Sequence, residues 1–193
     1  MAEPPELSDN EKARWKQVRT AILDFANAML TGDEEGATAA LNQAQHIDVD
    51  LTRILDSVHV PEDAGEFEEA LTRILLRIPD GWGRWIRCSR GWYPLIVQLD
   101  EELAAIDPDY ELHQVKEKYG GLRYYISEST DPDVAERMSA LIEDAEDTSV
   151  RVCEGCGADG VLCVSKGGWY RTMCPGCQAG SDRGYRPVRD ADG

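Results

Sequence analysis

The stretch YELHQVKEKYGGLRYYIS, residues 110–127, sets two β-prone runs on either side of Gly120-Gly121, the sequence signal of a β-hairpin. With the turn at the two glycines, Tyr119 faces Leu122, Glu117 faces Tyr124 and Val115 faces Ile126 on a mainly apolar side. The other side pairs Lys118 with Arg123, Lys116 with Tyr125 and Gln114 with Ser127. Like charges directly across a hairpin oppose pairing by up to about 1 kcal/mol, so something anionic must compensate. Nearby acids such as Asp109, Glu111 or Glu128 are one source, and an anionic group on a partner is the other. Glu117 stands among apolar neighbours, where a carboxylate has to be paired or protonated. An ion pair with Arg84, Arg87 or Arg90 is the expected rescue.

Upstream of the hairpin, Leu95, Leu99, Leu103 and Ile106 recur at helical spacing and Pro108 closes the run, which predicts a helix over 95–106 with Asp100-Glu101-Glu102 on its solvent side. Before it comes GWGRWIRCSRGWY, residues 81–93, in which three arginines at three-residue steps interleave with three tryptophans. Such a segment can plug a junction, with its arginines paired to surplus acids, or it can stack bases and pair phosphates. The two cationic islands together supply the partner-binding candidates Arg84, Trp85, Arg87, Arg90, Lys116, Lys118, Arg123 and Tyr125. Downstream, Pro132 opens a helix through Val134, Met138, Leu141, Ile142 and Ala145.

That helix leads into Cys153-Glu-Gly-Cys156 and, 17 residues further on, Cys174-Pro-Gly-Cys177. A two-residue spacer lets one tight turn aim two thiolates at one ion, and four such ligands suit tetrahedral zinc. Glycines 155, 157 and 176 suit the backbone of those turns, and the strands expected at 161–164 and 168–173 complete a zinc ribbon. One structural Zn2+ per chain follows, and a closed four-cysteine site leaves no open position for chemistry. Cys163, inside a strand, and isolated Cys88 are read as packed thiols.

Taken together, Gly91-Trp92-Tyr-Pro-Leu95-Ile96, Gln114-Val-Lys-Glu-Lys-Tyr-Gly-Gly-Leu-Arg123-Tyr-Tyr125 and Cys153-Glu-Gly-Cys156-Gly resemble a family of uncharacterised bacterial and phage proteins. The family has a GWxxLI helix, a QVKEK-aromatic-GGLR hairpin and a zinc-ribbon end. The resemblance covers roughly residues 81–178. It implies the same architecture and carries over no functional residue.

The first 80 residues read as an acidic helical region. Ser8 and Glu11 form a capping-box pattern before Trp15, Val18, Ile22, Phe25, Ala26 and Met29. Further helices are expected near 33–45, 51–58 and 67–78, and the copies of Leu-Thr-Arg-Ile-Leu at 51–55 and 71–75 are too few for a repeat array. The expected class is α+β, with domains at 1–80 (helical), 81–150 (helix–hairpin–helix) and 151–180 (ribbon), then a flexible tail at 181–193.

The chain carries 37 acidic and 20 basic side chains, a formal charge of −17, and residues 151–193 hold 6 basic against 5 acidic. This excess argues against a general DNA binder and against docking on anionic membranes. No signal segment opens the sequence and no apolar run spans a bilayer, so a cytoplasmic location is expected. Three histidines in no catalytic motif, and the absence of a P-loop, argue against an enzyme. The leading expectation is an acidic inhibitor or immunity-type protein that docks on a basic protein partner. A nucleic-acid-associated accessory protein, using the Arg/Lys hairpin face and the ribbon with Arg171, Arg183, Arg186 and Arg189, is the alternative.

Overall fold

The computed structural model describes residues 4–188 and is mixed α+β. The chain divides into two compact units, one ending at Ser57 and the other beginning at Val58.

The first unit is helical: α1 (Asp9–Thr31), α2 (Glu34–Gln45) and α3 (Leu51–Asp56). Ser8 caps α1 by accepting the Glu11 N–H, and Glu11 in return accepts the Ser8 N–H at 2.8 Å. The Ser8 hydroxyl, donating to the Glu11 carboxylate at 2.6 Å, together with the Ser8 N–H and with Arg53 Nε at 2.7 Å, holds that carboxyl down at about 2. Burial in α1 falls on Val18, Ala21 and Ala28, facing an α2 that buries Ala37 and Ala40. The expected apolar stripe is thereby corrected, because Ile22 and Met29 are exposed. Small side chains let two helices approach closely, and the bulky side of α1 is left outward.

The second unit begins with β1 (Val58–His59) and α4 (Glu68–Leu76), followed by β2 (Arg84–Arg87) and α5 (Tyr93–Ile106). The hairpin strands β3 (Leu112–Lys118) and β4 (Gly121–Ile126) and the helix α6 (Pro132–Ser149) come next. The ribbon comprises β5 (Val161–Val164), β6 (Tyr170–Met173), α7 (Pro175–Ala179) and β7 (Arg186–Pro187). The main sheet has the order β1-β2-β3-β4, parallel across its first two pairings and antiparallel at the hairpin. Its inner face, with Ile86, Val115, Leu122 and Tyr124, packs against the apolar sides of α4, α5 and α6.

Two boundaries differ from the sequence reading. Residues 58–80 belong with the middle region, because Leu71, Ile74 and Leu75 of α4 share one core with Ile96 and Leu99, and β1 pairs with β2. Residues 181–188 belong to the ribbon, where Tyr185 is buried with Cys163 and Met173, and β7 pairs with β5. The rest of the expected flexible tail, residues 189–193 with the candidate Arg189, lies outside the described residues.

The hairpin turns one residue earlier than the glycine pair suggests. Lys118 pairs with Gly121, Lys116 with Arg123 and Gln114 with Tyr125, so Tyr119 and Gly120 form the loop with φ of 55° and 80°. Two positive φ values define the turn whose twist suits a hairpin. The register moves by two residues, so the paired strand residues keep their expected faces, whereas Tyr119, expected on the apolar side opposite Leu122, is exposed in the loop.

Asp100, expected in solvent, is buried. It accepts from Arg77 Nε at 2.7 Å and from the Tyr110 hydroxyl at 2.6 Å, and Tyr110 in turn meets the Tyr124 hydroxyl at 2.7 Å. Burial, together with the Asp100 charge, pushes both phenols above their ordinary range. This network joins α4, α5 and the hairpin, and satisfied buried polar groups of this kind fix one packing arrangement.

Candidate functional site

The Cys153–Cys156 turn lies between α6 and β5, and the Cys174–Cys177 turn is made by β6 running into α7. Gly157, at φ 80°, closes the first turn by donating its N–H to Cys153 O at 2.8 Å. Gly155 and Gly176 have no left-handed backbone. Cys174 caps α7, with the Cys177 N–H directed at its Sγ. That contact, together with the neighbouring thiols, brings Cys174 down to about 7. The ligand sulfurs of Cys153, Cys156, Cys174 and Cys177 all lie within 4.8 Å of one another, and Cys156 and Cys174 are 3.6 Å apart. Sulfurs arranged tetrahedrally at 2.3 Å from zinc would stand about 3.8 Å apart, so the cluster fits a metal ion of that kind. Cys163 is outside the cluster and buried in the ribbon core. Cys88 packs against the main core, and burial pushes its thiol well up, with the Glu154 carboxylate adding to the rise.

The ribbon is locked onto the rest of its unit by the residue between the first two cysteines. Glu154 is buried, and it accepts from the Ser89 N–H at 3.0 Å and from Arg171 Nε at 2.6 Å. Arg171 also donates to the Ser89 hydroxyl. Gly91 donates to Glu154 O at 2.8 Å and Trp92 Nε1 to Val152 O at 2.8 Å. A Cβ on Gly91 would stand 2.2 Å from Cys153 O. At the hairpin turn the Thr172 hydroxyl donates to Gly120 O at 2.6 Å. The Gly-Trp, Gly-Gly and Cys-Glu-Gly-Cys motifs therefore meet at one junction. The sequence placed Glu154 only as a spacer, and its buried pairing with Arg171 is legible only in three dimensions.

The main sheet brings the two cationic islands together. Arg87 pairs with Lys116 across β2/β3 and Lys116 with Arg123 across β3/β4, giving a row of three cations over three strands. Side chains alternate along each strand, so Trp85 and Tyr125 share this face, and Lys118 stands beyond the row. The Arg87 guanidinium lies 5.1 Å from the Trp85 ring and Lys116 Nζ 5.3 Å from the Tyr125 ring. Arg123 is paired with Glu146 at 3.1 Å, an acid other than Asp109, Glu111 or Glu128. Among the described residues, Arg87, Lys116 and Lys118 have no carboxylate within 4.0 Å.

Two of the eight candidates lie elsewhere. Arg84 points inward, is 3% exposed, and donates to Ile78 O at 2.9 Å and to Asp80 at 2.7 Å. Arg90 is exposed in the helical turn before α5. The tryptophans divide as well: Trp92 is buried at the ribbon junction, whereas Trp82 is 58% exposed and stacks on His113 at 4.4 Å. Glu117 makes no ion pair with Arg84, Arg87 or Arg90. It accepts the Gly120 N–H at 2.6 Å, and burial raises its carboxyl against the pull of Arg171 and Arg123.

His113 Nε2 also meets the Ser127 hydroxyl at 2.9 Å, a contact that the sequence did not suggest. That hydroxyl donates to Glu111 at 3.2 Å, so the carboxylate engages the serine and not the far side of the imidazole, where a base-orienting acid would stand. Among the described residues, no helix is long and apolar enough to cross a membrane. Comparison with protein-family models, curated proteins and solved structures returned no match.

Proposed function

We propose that the chain is a non-catalytic, cytoplasmic binding module in which one zinc ion, held by Cys153, Cys156, Cys174 and Cys177, fixes the ribbon. The ribbon braces the β2–α5 turn and the hairpin, and the braced sheet presents its outer face to an anionic macromolecule. The observation that carries this reading is the Arg87–Lys116–Arg123 row. Strand pairing sets three cations side by side in a chain of charge −17, and among the described residues only Arg123 of the three has an acid partner, so like charges stand together on one face where an anion would relieve their repulsion. Retention on immobilised heparin at low salt is the test. It should be lost in Arg87→Glu/Lys116→Glu and kept in Arg73→Glu, and equal elution of all three would count against the reading.

A second reading follows from the exposed acids of α6, Glu136, Glu143, Asp144 and Asp147. They suit an inhibitor or immunity-type role against a basic protein, steered by charge. A complex with such a protein, captured from the native host and dissolved by salt, should be lost when these four acids are reversed to lysine.

A further inference from the structure

We propose that the anionic partner of the sheet face is single-stranded nucleic acid. This inference rests on the reading of that face as the site for an anionic macromolecule and adds the class of ligand. Charge alone would admit any polyanion. The deciding feature is that aromatic rings lie beside each open cation. Trp85 and Arg87 alternate on β2, while Tyr125 on β4 sits diagonally across from Lys116, and both cations lie over the neighbouring ring. At the end of the same sheet, Trp82 offers a broad exposed ring already stacked on an imidazole. Unpaired bases present π-faces and phosphates at alternating positions along the strand, and proteins hold them with aromatic platforms beside cationic tracks. A duplex hides those π-faces. An acidic peptide would satisfy the cations but give the rings no flat partner.

The overall charge opposes non-specific phosphate binding, so the site is local and its affinity should depend strongly on salt. Two strand spacings separate β2 from β4, about 10 Å. Trp85 and Tyr125 therefore suit separate bases, with the cation row taking the intervening phosphates.

The test uses the full zinc-loaded chain with fluorescein-labelled oligo-dT and oligo-U of about 12 nucleotides, followed by fluorescence anisotropy and by tryptophan quenching. Expected are binding at low salt, competition by unlabelled oligo-dT stronger than by the matching duplex, heparin or poly-glutamate, and tryptophan quenching. Trp82→Ala and Tyr125→Ala should each weaken binding by about tenfold. Both side chains are well exposed, at 58% and 40%, and unchanged melting temperatures would exclude misfolding as the cause. Arg87→Gln and Lys116→Gln should each lower the slope of log affinity against log salt by about 0.7.

If heparin binding depends on Arg87 and Lys116 while oligonucleotides are not preferred and Trp82→Ala and Tyr125→Ala change nothing, the single-strand assignment is overturned and the anion-binding face stands. Preference for duplex or for poly-glutamate overturns it in the same way. If no polyanion binds, both readings fall.

Discussion

Glu117 shows how one side chain couples burial to pH. Its place on the inner side of the hairpin raises its carboxyl, while the Gly120 N–H and the charges of Arg171 and Arg123 oppose the rise. A carboxyl whose folded value exceeds its unfolded value binds protons more readily in the fold, so stability declines as pH climbs from the unfolded value through the folded one. Glu117→Gln keeps an oxygen for the Gly120 N–H and removes the charge. The variant should melt higher than the parent at neutral pH and equally at about pH 3, below the ordinary carboxylate value; thermal melts across that range check it. Residue type and period mark Glu117 as anomalous on its face, but they do not show that the Gly120 N–H is what it accepts. Arg84 turns to Ile78 O and Asp80, Arg87 lies on the outer face and Arg90 is exposed before α5, whereas the charges that act on Glu117 come from Arg123 across the hairpin and from Arg171 of the ribbon, 54 positions away.

Among the elements, helices were the most legible. Capping boxes, prolines and three- to four-residue periods act within a few positions, so α1, α2, α5 and α6 fall close to where the sequence places them. The strand β2 was not anticipated, since Arg-Trp-Ile-Arg is too short and too charged to signal a strand and becomes one by pairing with β1 and β3. Parallel pairing joins segments distant in sequence and leaves no turn signature. The turn before α5 is fixed by the ribbon, which leaves no room at Gly91. Gly91→Ala would press its methyl against the Cys153 and Glu154 carbonyls and should destabilise the second unit by about 2 kcal/mol or more. Urea unfolding measures this, and the loss should fall on the second unit, with α1–α3 retaining their own transition.

For the molecule as a whole, the four cysteines lie together at the two turns of the ribbon, where the proposed zinc would tie them, and the ribbon holds the hairpin turn through Thr172 and the β2–α5 turn through Glu154. Removal of zinc by a chelator should therefore deprotect backbone amides in the ribbon and in β3–β4, and leave α1 and α2 protected; hydrogen exchange with mass spectrometry distinguishes the two. Metal analysis should return one zinc per chain, and none in Cys153→Ser/Cys177→Ser. Because bound thiols must lose their protons, and the neighbouring thiols hold Cys177 up at about 12 while Cys174 lies at about 7, zinc affinity should fall as pH drops through that whole range, most steeply below about 7; competition with a chromophoric chelator measures it. The sequence by itself determined the four thiols of the cluster, the helices, the two faces of the hairpin and the charge imbalance, because spacing and side-chain chemistry act locally along the chain. Only the tertiary structure decided that residues 58–80 belong to the sheet domain, that Arg84 is structural, and that Arg87, Lys116 and Arg123 form one row. These outcomes depend on which strands pair and which surface an acid can reach, and such long-range packing choices leave no periodic trace in sequence.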